Sequence, residues 1–236
     1  MFGLVGTIVN SVAVIIGGVL GLVFKKGISE KVKDSVFKAV GLITAYIGIS
    51  GSLCGENTLI VVVSMVLGTV IGELIDLDKG VNKIGNVLER KFSKNKEDNN
   101  IAQGFVSSSL LFCVGAMTIV GSLQAGLEGD CSVLYIKSAI DFCSSIIFSA
   151  TFGIGVLFSS IFVLLYQGSI TLLSSLLAPF LTTAVVNEMN CVGYIIIIGL
   201  SLNIIGVTKL KVMNMVPAVF LPIVLLPLYN WISTLI

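Results

Sequence analysis

Long apolar runs alternate with short polar ones along the whole chain. Phe2 to Phe24 carries no charge, nor do Ala39 to Leu53, Ile101 to Gln124, Cys191 to Thr208 or Val212 to Leu235, and Thr58 to Leu77 is apolar until its last turns. A helix needs about 20 mainly apolar residues to cross a bilayer core, so runs of this kind predict membrane spans. Leu134 to Leu177 is too long for one span, and Gly153 and Gly155 mark its natural break into 134–152 and 156–177. The pattern therefore predicts an all-α, polytopic helical bundle with spans at about 2–24, 39–53, 58–77, 101–124, 134–152, 156–177, 191–208 and 212–235. Together they form a single membrane domain over 1–236.

The polar stretches set a topology. Lys25 to Lys38 and Asp78 to Asn100 are rich in lysine, and Lys209 and Lys211 form a third basic turn, whereas Cys54 to Asn57 and the loop with Glu128 and Asp130 hold no lysine. By the positive-inside rule the basic loops are cytoplasmic and both termini lie outside. Tyr229 and Trp231 then fall at the outer aromatic belt. Within 78–100, Val81, Ile84, Leu88 and Phe92 recur at helical spacing, which predicts a basic amphipathic helix on the inner headgroups or a solvated linker.

Composition sharpens the exclusions. The chain is 56% hydrophobic and 11% charged, with 25 glycines and a mean hydropathy of +1.06. A net charge of +1 provides no basic field for nucleic acid, and the absence of histidine removes most zinc, haem and histidine-base chemistry. The first span lacks the basic n-region of a cleaved signal peptide and reads as a retained helix. Five cysteines show no C-x-x-C pair, so no metal or other cofactor is expected. Cys54, Cys131 and Cys191 fall at predicted outer helix ends, which leaves a disulfide open.

A few polar residues stand inside the spans. Lys137 and Asp141 are four apart, so one helix face carries both charges and they neutralise each other. This reads either as a structural ion pair with Lys137 snorkelling outwards or as a cation or proton site at Asp141. Asn10 and Asn203 each lie four residues after a glycine, which hints at a duplicated helix related in parallel. Their carboxamides either bond across helices or line one central cavity. Three stretches could unwind: Gly115 to Gly121 with Thr118, Tyr166 to Ser169 with Gln167, and the eighth span with Pro217, Pro222 and Pro227. Glu73, one turn inside the third span, is a candidate inner gate. Gly17, Gly18 and Gly21, and Gly68 and Gly72, read as close-packing faces.

The strings Gly115-Ala-Met-Thr-Ile-Val-Gly-Ser122, Gly126-Leu-Glu-Gly-Asp130 and Ile136-Lys-Ser138 with Asp141, the opening Gly6-Thr-Ile-Val-Asn10 and the later Tyr166-Gln-Gly168 resemble the uncharacterised bacterial membrane proteins of the domain of unknown function 554 family, the YdfK and YqgA type. The resemblance spans nearly the whole chain. It implies a helical protein of the bacterial cytoplasmic membrane and no particular activity. Ala116 and Ala125 depart from the residues expected there, so no acidic role transfers to position 125. No P-loop, dinucleotide fingerprint or H-E-x-x-H string occurs, and an enzyme is not expected. The sequence points to a secondary transporter or channel-like permease for a small polar solute or ion, lined by spans four to seven, with Asn10, Thr118, Lys137, Asp141, Gln167 and Asn203 on the path. The alternative is a non-transporting assembly or regulatory protein. The expected partners are the lipid bilayer and that solute or ion, with no nucleic acid, and a homo-oligomer is left open.

Overall fold

The computed structural model describes residues 3–25, 30–80, 83 and 101–234. Among these residues every regular element is helical and no strand occurs. In chain order they are α1 (Leu4–Lys25), α2 (Glu30–Ser52), α3 (Thr58–Ile75), α4 (Ile101–Cys113), α5 (Ala116–Leu127), α6 (Ser132–Phe152), α7 (Gly155–Leu172), the single turn α8 (Ser174–Leu177), α9 (Thr183–Ile205), a 3₁₀ segment (Val212–Phe220) and α10 (Pro222–Ser233). Among the described residues six helices are long and apolar enough to cross a membrane. Two bent pairs, α4 with α5 at 60° and the 3₁₀ segment with α10 at 45°, bring the number to eight if each pair is one span. The amphipathic helix read into 78–100 lies outside the described residues apart from 78–80 and 83.

The helices are patterned inside out. On α1 the buried positions are Gly6, Thr7, Asn10, Ser11, Val14, Gly17, Gly18 and Gly21, while Ile8, Val12, Ile15, Ile16 and Val19 face outwards. On α3 Ser64, Gly68 and Gly72 point inwards and Val62, Val66, Val70 and Leu74 outwards. A soluble helix buries its large aliphatic face in the core and shows polar residues to water. Here the large side chains are left for lipid, and small or hydroxylated residues let backbones approach closely, as bilayer packing requires.

That close approach organises the chain into two helix groups. In the first, α1 lies along α6, because Gly17 and Gly21 have no side chains and admit the Phe142 and Ile146 carbonyls, and α7 packs on both α1 and the α4–α5 pair. In the second, α9 lies against α2, with Gly48 and Gly51 receiving Ile198 and Tyr194, and α3 lies against the 3₁₀ segment through Gly68 and Gly72. The groups meet chiefly where α2 touches α6 and where α9 crosses the α4–α5 break.

Two ends follow from the same contacts. At one, Gly3 packs on Ala125 and Thr171, and Glu188 holds the 54–57 turn. Here Asp130 accepts the N–H and the hydroxyl of Ser132 at 2.9 and 2.6 Å, bonds that hold its carboxyl below the usual carboxylate range. At the other, Ile101 meets Gly155, and Lys211 pairs with Glu73 at 3.1 Å. These are called the Asp130 end and the Lys211 end below.

Two expectations about the helices change, and a third, the break at Gly153, holds. The seventh span begins at Thr183 rather than at 191, because Glu188 and Asn190, which look like loop residues, are buried in α9. The Tyr166 to Ser169 stretch does not unwind but stays within α7. Gly153 has a left-handed φ of 81° and closes a tight turn at the Lys211 end, so α6 and α7 run antiparallel as separate helices.

A buried ion pair at a broken helix

The fourth span breaks where glycine allows it. After Cys113 the chain leaves the helix for two residues and Gly115 takes φ 124°, before α5 resumes at a 60° bend. The Thr118 hydroxyl crosses the break to donate to the Phe112 carbonyl at 3.2 Å. Tyr194 of α9 packs against it, its hydroxyl 2.9 Å from where a Cβ on Gly115 would stand. The C-terminal carbonyls of α4 and the N-terminal N–H groups of α5 thus end inside the protein, each without a full set of intrahelical partners.

Asp141 is brought to the same place by the α1–α6 contact. Its side chain is buried, and both oxygens are engaged: Lys137 Nζ donates to Oδ1 at 2.9 Å and Asn10 Nδ2 donates to Oδ2 at 3.0 Å. Lys137 is 7% exposed and Asp141 3%. Lys137 therefore does not snorkel to an interface, and the pair is neutral only because both partners are present. Lys137, Asp141 and Ser144 line a cavity of about 360 Å³, with Thr118 and Gly115 from the break, Ile47 from α2 and Tyr194 from α9. On the far side of the break a second cavity, of about 130 Å³, is walled by apolar residues including Phe162, Met189, Met213 and Val216. Val114 and Gly115 line both.

The residues singled out from sequence therefore divide. Asn10, Thr118, Lys137 and Asp141 come together around the break. Gln167 is fully buried on α7, and neither its carbonyl oxygen nor its amide nitrogen has a protein partner. Asn203 is at the Lys211 end: its Nδ2 donates to the Leu210 carbonyl at 2.7 Å and its Oδ1 accepts from Thr208 and from the Leu210 N–H, both at 2.8 Å. It shapes the loop after α9 and does not share a cavity with Asn10. The duplication hint fails for the same reason, since Asn10 lies near the start of its helix and Asn203 near the end of its own. Glu73 is half-exposed and paired with Lys211, whose pKa this hydrogen bond raises above the usual lysine range.

Sequence reasoning did not place Tyr194, Ser144 or Glu188 at the site. A tyrosine or serine in an apolar run carries no signal of its own. Glu188 was hidden by its neighbours Asn187 and Asn190, which made the segment look like a loop. It is 2% exposed, and its Oε1 accepts the backbone N–H groups of Glu56 and Asn57, both at 2.8 Å. Replacing it with alanine would leave two backbone donors unpaired at about 1–3 kcal/mol each. Glu188→Ala is accordingly expected to lower the thermal midpoint sharply, and Glu188→Gln, which keeps an acceptor, to lower it less. Around the same turn the Cys191 thiol donates to the Ser52 carbonyl at 3.0 Å and the Cys54 thiol to the Asn187 carbonyl at 3.4 Å, whereas Cys131 lies against Gly3. All five cysteines are free thiols.

The family model described as protein of unknown function (DUF554) matches residues 5–227. The chain belongs to this family. It is 33% identical over 221 residues to the uncharacterized membrane protein YdfK of Bacillus subtilis (strain 168), covering 92% of this chain and 93% of the relative. It is 32% identical over 221 residues to the uncharacterized protein YqgA of Escherichia coli (strain K12), covering 92% and 94%. No solved structure matches the chain. The protein is thus a multi-helix membrane protein of a family without an assigned activity.

Proposed function

We propose that the protein is a secondary transporter or channel-like permease for a small polar solute or ion, with Lys137 and Asp141 as a charge-compensated coupling site. The observation that carries this reading is the meeting of a broken span and a buried ion pair on one cavity. Transporters use interrupted helices because freed carbonyls and N–H groups bind ions and anionic groups at depth. A charge pair within a span is costly compared with hydrocarbon, which makes it a functional-site hypothesis. Thr118, Ser144 and Tyr194 supply neutral contacts on the same cavity, and Asn10 holds Asp141 from behind. The cavity lies between the two helix groups, the arrangement in which one group can rock against the other around a fixed site. Such a reading needs no covalent step and no cofactor, and it leaves Asn203 and Glu73 outside the solute path. By the positive-inside rule the Lys211 end faces the cytoplasm of a bacterial cell, with both termini outside.

A second reading, assembly or regulation, draws on the outward apolar face of α3, where Met65, Val66, Val70 and Leu74 line a shallow lateral groove. The basic loops would then hold anionic lipid or a cytoplasmic protein. It leaves the ion pair and the break without a purpose.

A thermal-shift screen of the purified protein against inorganic ions, carboxylates, amino acids and sugars at several pH values tests the choice. A ligand that binds only the native state adds about 2.7 kcal/mol of stability at a hundred times its dissociation constant. At least one class is expected to raise the midpoint with concentration, and the rise should vanish in Asp141→Asn. An effect of equal size in both proteins would remove the Asp141 site from the account.

A further inference from the structure

We infer that a column of water runs between α1, α5 and α7 from the Asp130 end to Asp141, and that it is the route by which Asp141 gains and loses a proton. The inference starts from unpartnered groups. Thr7 Oγ1, Asn10 Oδ1, Ser122 Oγ, Thr171 Oγ1 and both polar atoms of Gln167 are buried without a hydrogen-bond partner. All five side chains are at least nine-tenths buried. Buried polar groups are as a rule hydrogen-bonded, and where the protein supplies no partner internal water is the one that remains.

The helix contacts place these residues in tiers. At the Asp130 end Gly3 packs on Thr171 and on Ala125, and Gly126 packs on the Thr171 carbonyl. One turn deeper on the same three helices stand Thr7, Ser122 and Gln167, because residues four apart on a helix share a face. Gly168, next to Gln167, lies about 4 Å from the Thr7 methyl at its Cβ position, which fixes the two helices at that depth. Another turn along α1 brings Asn10, whose Nδ2 holds Asp141 at 3.0 Å and whose Oδ1 is still open. Seven residues of helix separate Gly3 from Asn10, a path of about 10 Å. Each tier offers a carbonyl or hydroxyl oxygen, so a file of waters can pass a proton from one oxygen to the next. The acceptor is Asp141 Oδ2, which becomes a hydroxyl that donates to the last water, and the reverse step returns the proton along the same file.

Among the described residues the titratable and charged groups around Asp141 are Lys137 on its own helix, Cys113 at the end of α4 and Tyr194 across the cavity, while α1 contributes the neutral Asn10. Protonation of Asp141 frees the Lys137 ammonium to face the cavity. The column deepens the transport reading, because it names the proton as the coupling ion, but its occupancy by water does not depend on that reading.

The test is infrared spectroscopy of the full-length protein in lipid nanodiscs through a pH series, with buffer switched from H₂O to D₂O and no solute present. The Asp141 carboxyl band is assigned by its loss in Asp141→Asn. The expected result is a carboxyl band that grows as pH falls and shifts within the mixing time of the switch. In Thr7→Val/Gln167→Leu, where hydrocarbon fills the column, exchange should slow at least tenfold. Should the double variant fail to fold, the near-isosteric Thr7→Val carries the comparison, with a slowing of at least threefold. The inference is overturned by the absence of an Asp141 band at every pH at which the protein stays folded, by exchange as slow as that of core amides, or by a folded variant that exchanges like the wild type. Because exchange is read without a solute, a negative result here leaves the transport measurement standing, and a failed transport measurement leaves this one standing.

Discussion

Lys137→Met is expected to destabilise the protein by about 3–5 kcal/mol, the cost of leaving one member of a buried ion pair without its partner. Asp141 is 3% exposed, and its remaining side-chain contact would be the neutral Asn10 carboxamide, which cannot offset a full negative charge so deeply buried. The companion variant Lys137→Met/Asp141→Leu removes both charges together and should recover most of the loss, since hydrocarbon of similar volume packs well in such sites. Reversible unfolding in mixed micelles, run as a double-mutant cycle, reads the coupling directly. A Lys137→Met protein as stable as the wild type would mean that the pair seen between α6 residues is not formed in the folded protein.

The second large effect is steric. On α3, Gly72 lies against the carbonyl of Asn214 and Gly68 against the backbone of Ala218, so close that a Cβ at either position would overlap its neighbour. The obstacle is backbone rather than the free end of a side chain. The 3₁₀ segment cannot move away cheaply either, with Pro217 inside it, Asn214 accepting the Asp78 N–H at 2.7 Å, and Pro222 opening the next helix. Gly72→Val should therefore cost about 3 kcal/mol, at the upper end of what overpacking does. Val66→Ala, on the lipid-facing side of the same helix, should change the midpoint little. Equal midpoints for the two variants would show that α3 does not pack on the 3₁₀ segment at this glycine.

The sequence carried the architecture well, because in a bilayer the length of an apolar run and its glycine and proline interruptions decide most of the fold locally. The turn at Gly153, the break after Cys113 and the bend near Pro222 are all of this kind. The Lys137–Asp141 pair was equally legible, since four-residue spacing on a helix leaves little choice. Asn10 was found as a polar residue in a span, but its bond to Asp141 joins residues 131 apart in the chain and depends on which helices become neighbours. Nothing in a local pattern encodes that. Asn203 misled because its surroundings match those of Asn10 while its depth does not. Glu188 misled in the opposite direction: a carboxylate beside two asparagines reads as a loop until the backbone donors of a distant turn are seen to need it. Gln167 was found for its place in a stretch expected to unwind. The helix stays intact there, and what distinguishes Gln167 is that its buried carboxamide has no protein partner.

The most direct test of the transport account is flux. Wild-type protein, Asp141→Asn and protein-free controls are compared in sealed liposomes against a panel of small ions, carboxylates, amino acids and sugars. Radiolabel uptake and an internal pH dye are followed together. The account predicts at least one solute that enters wild-type vesicles faster than both controls, with Asp141→Asn at the level of empty vesicles. Uptake by Asp141→Asn at the wild-type rate, or identical traces for all three preparations across the panel, would contradict it.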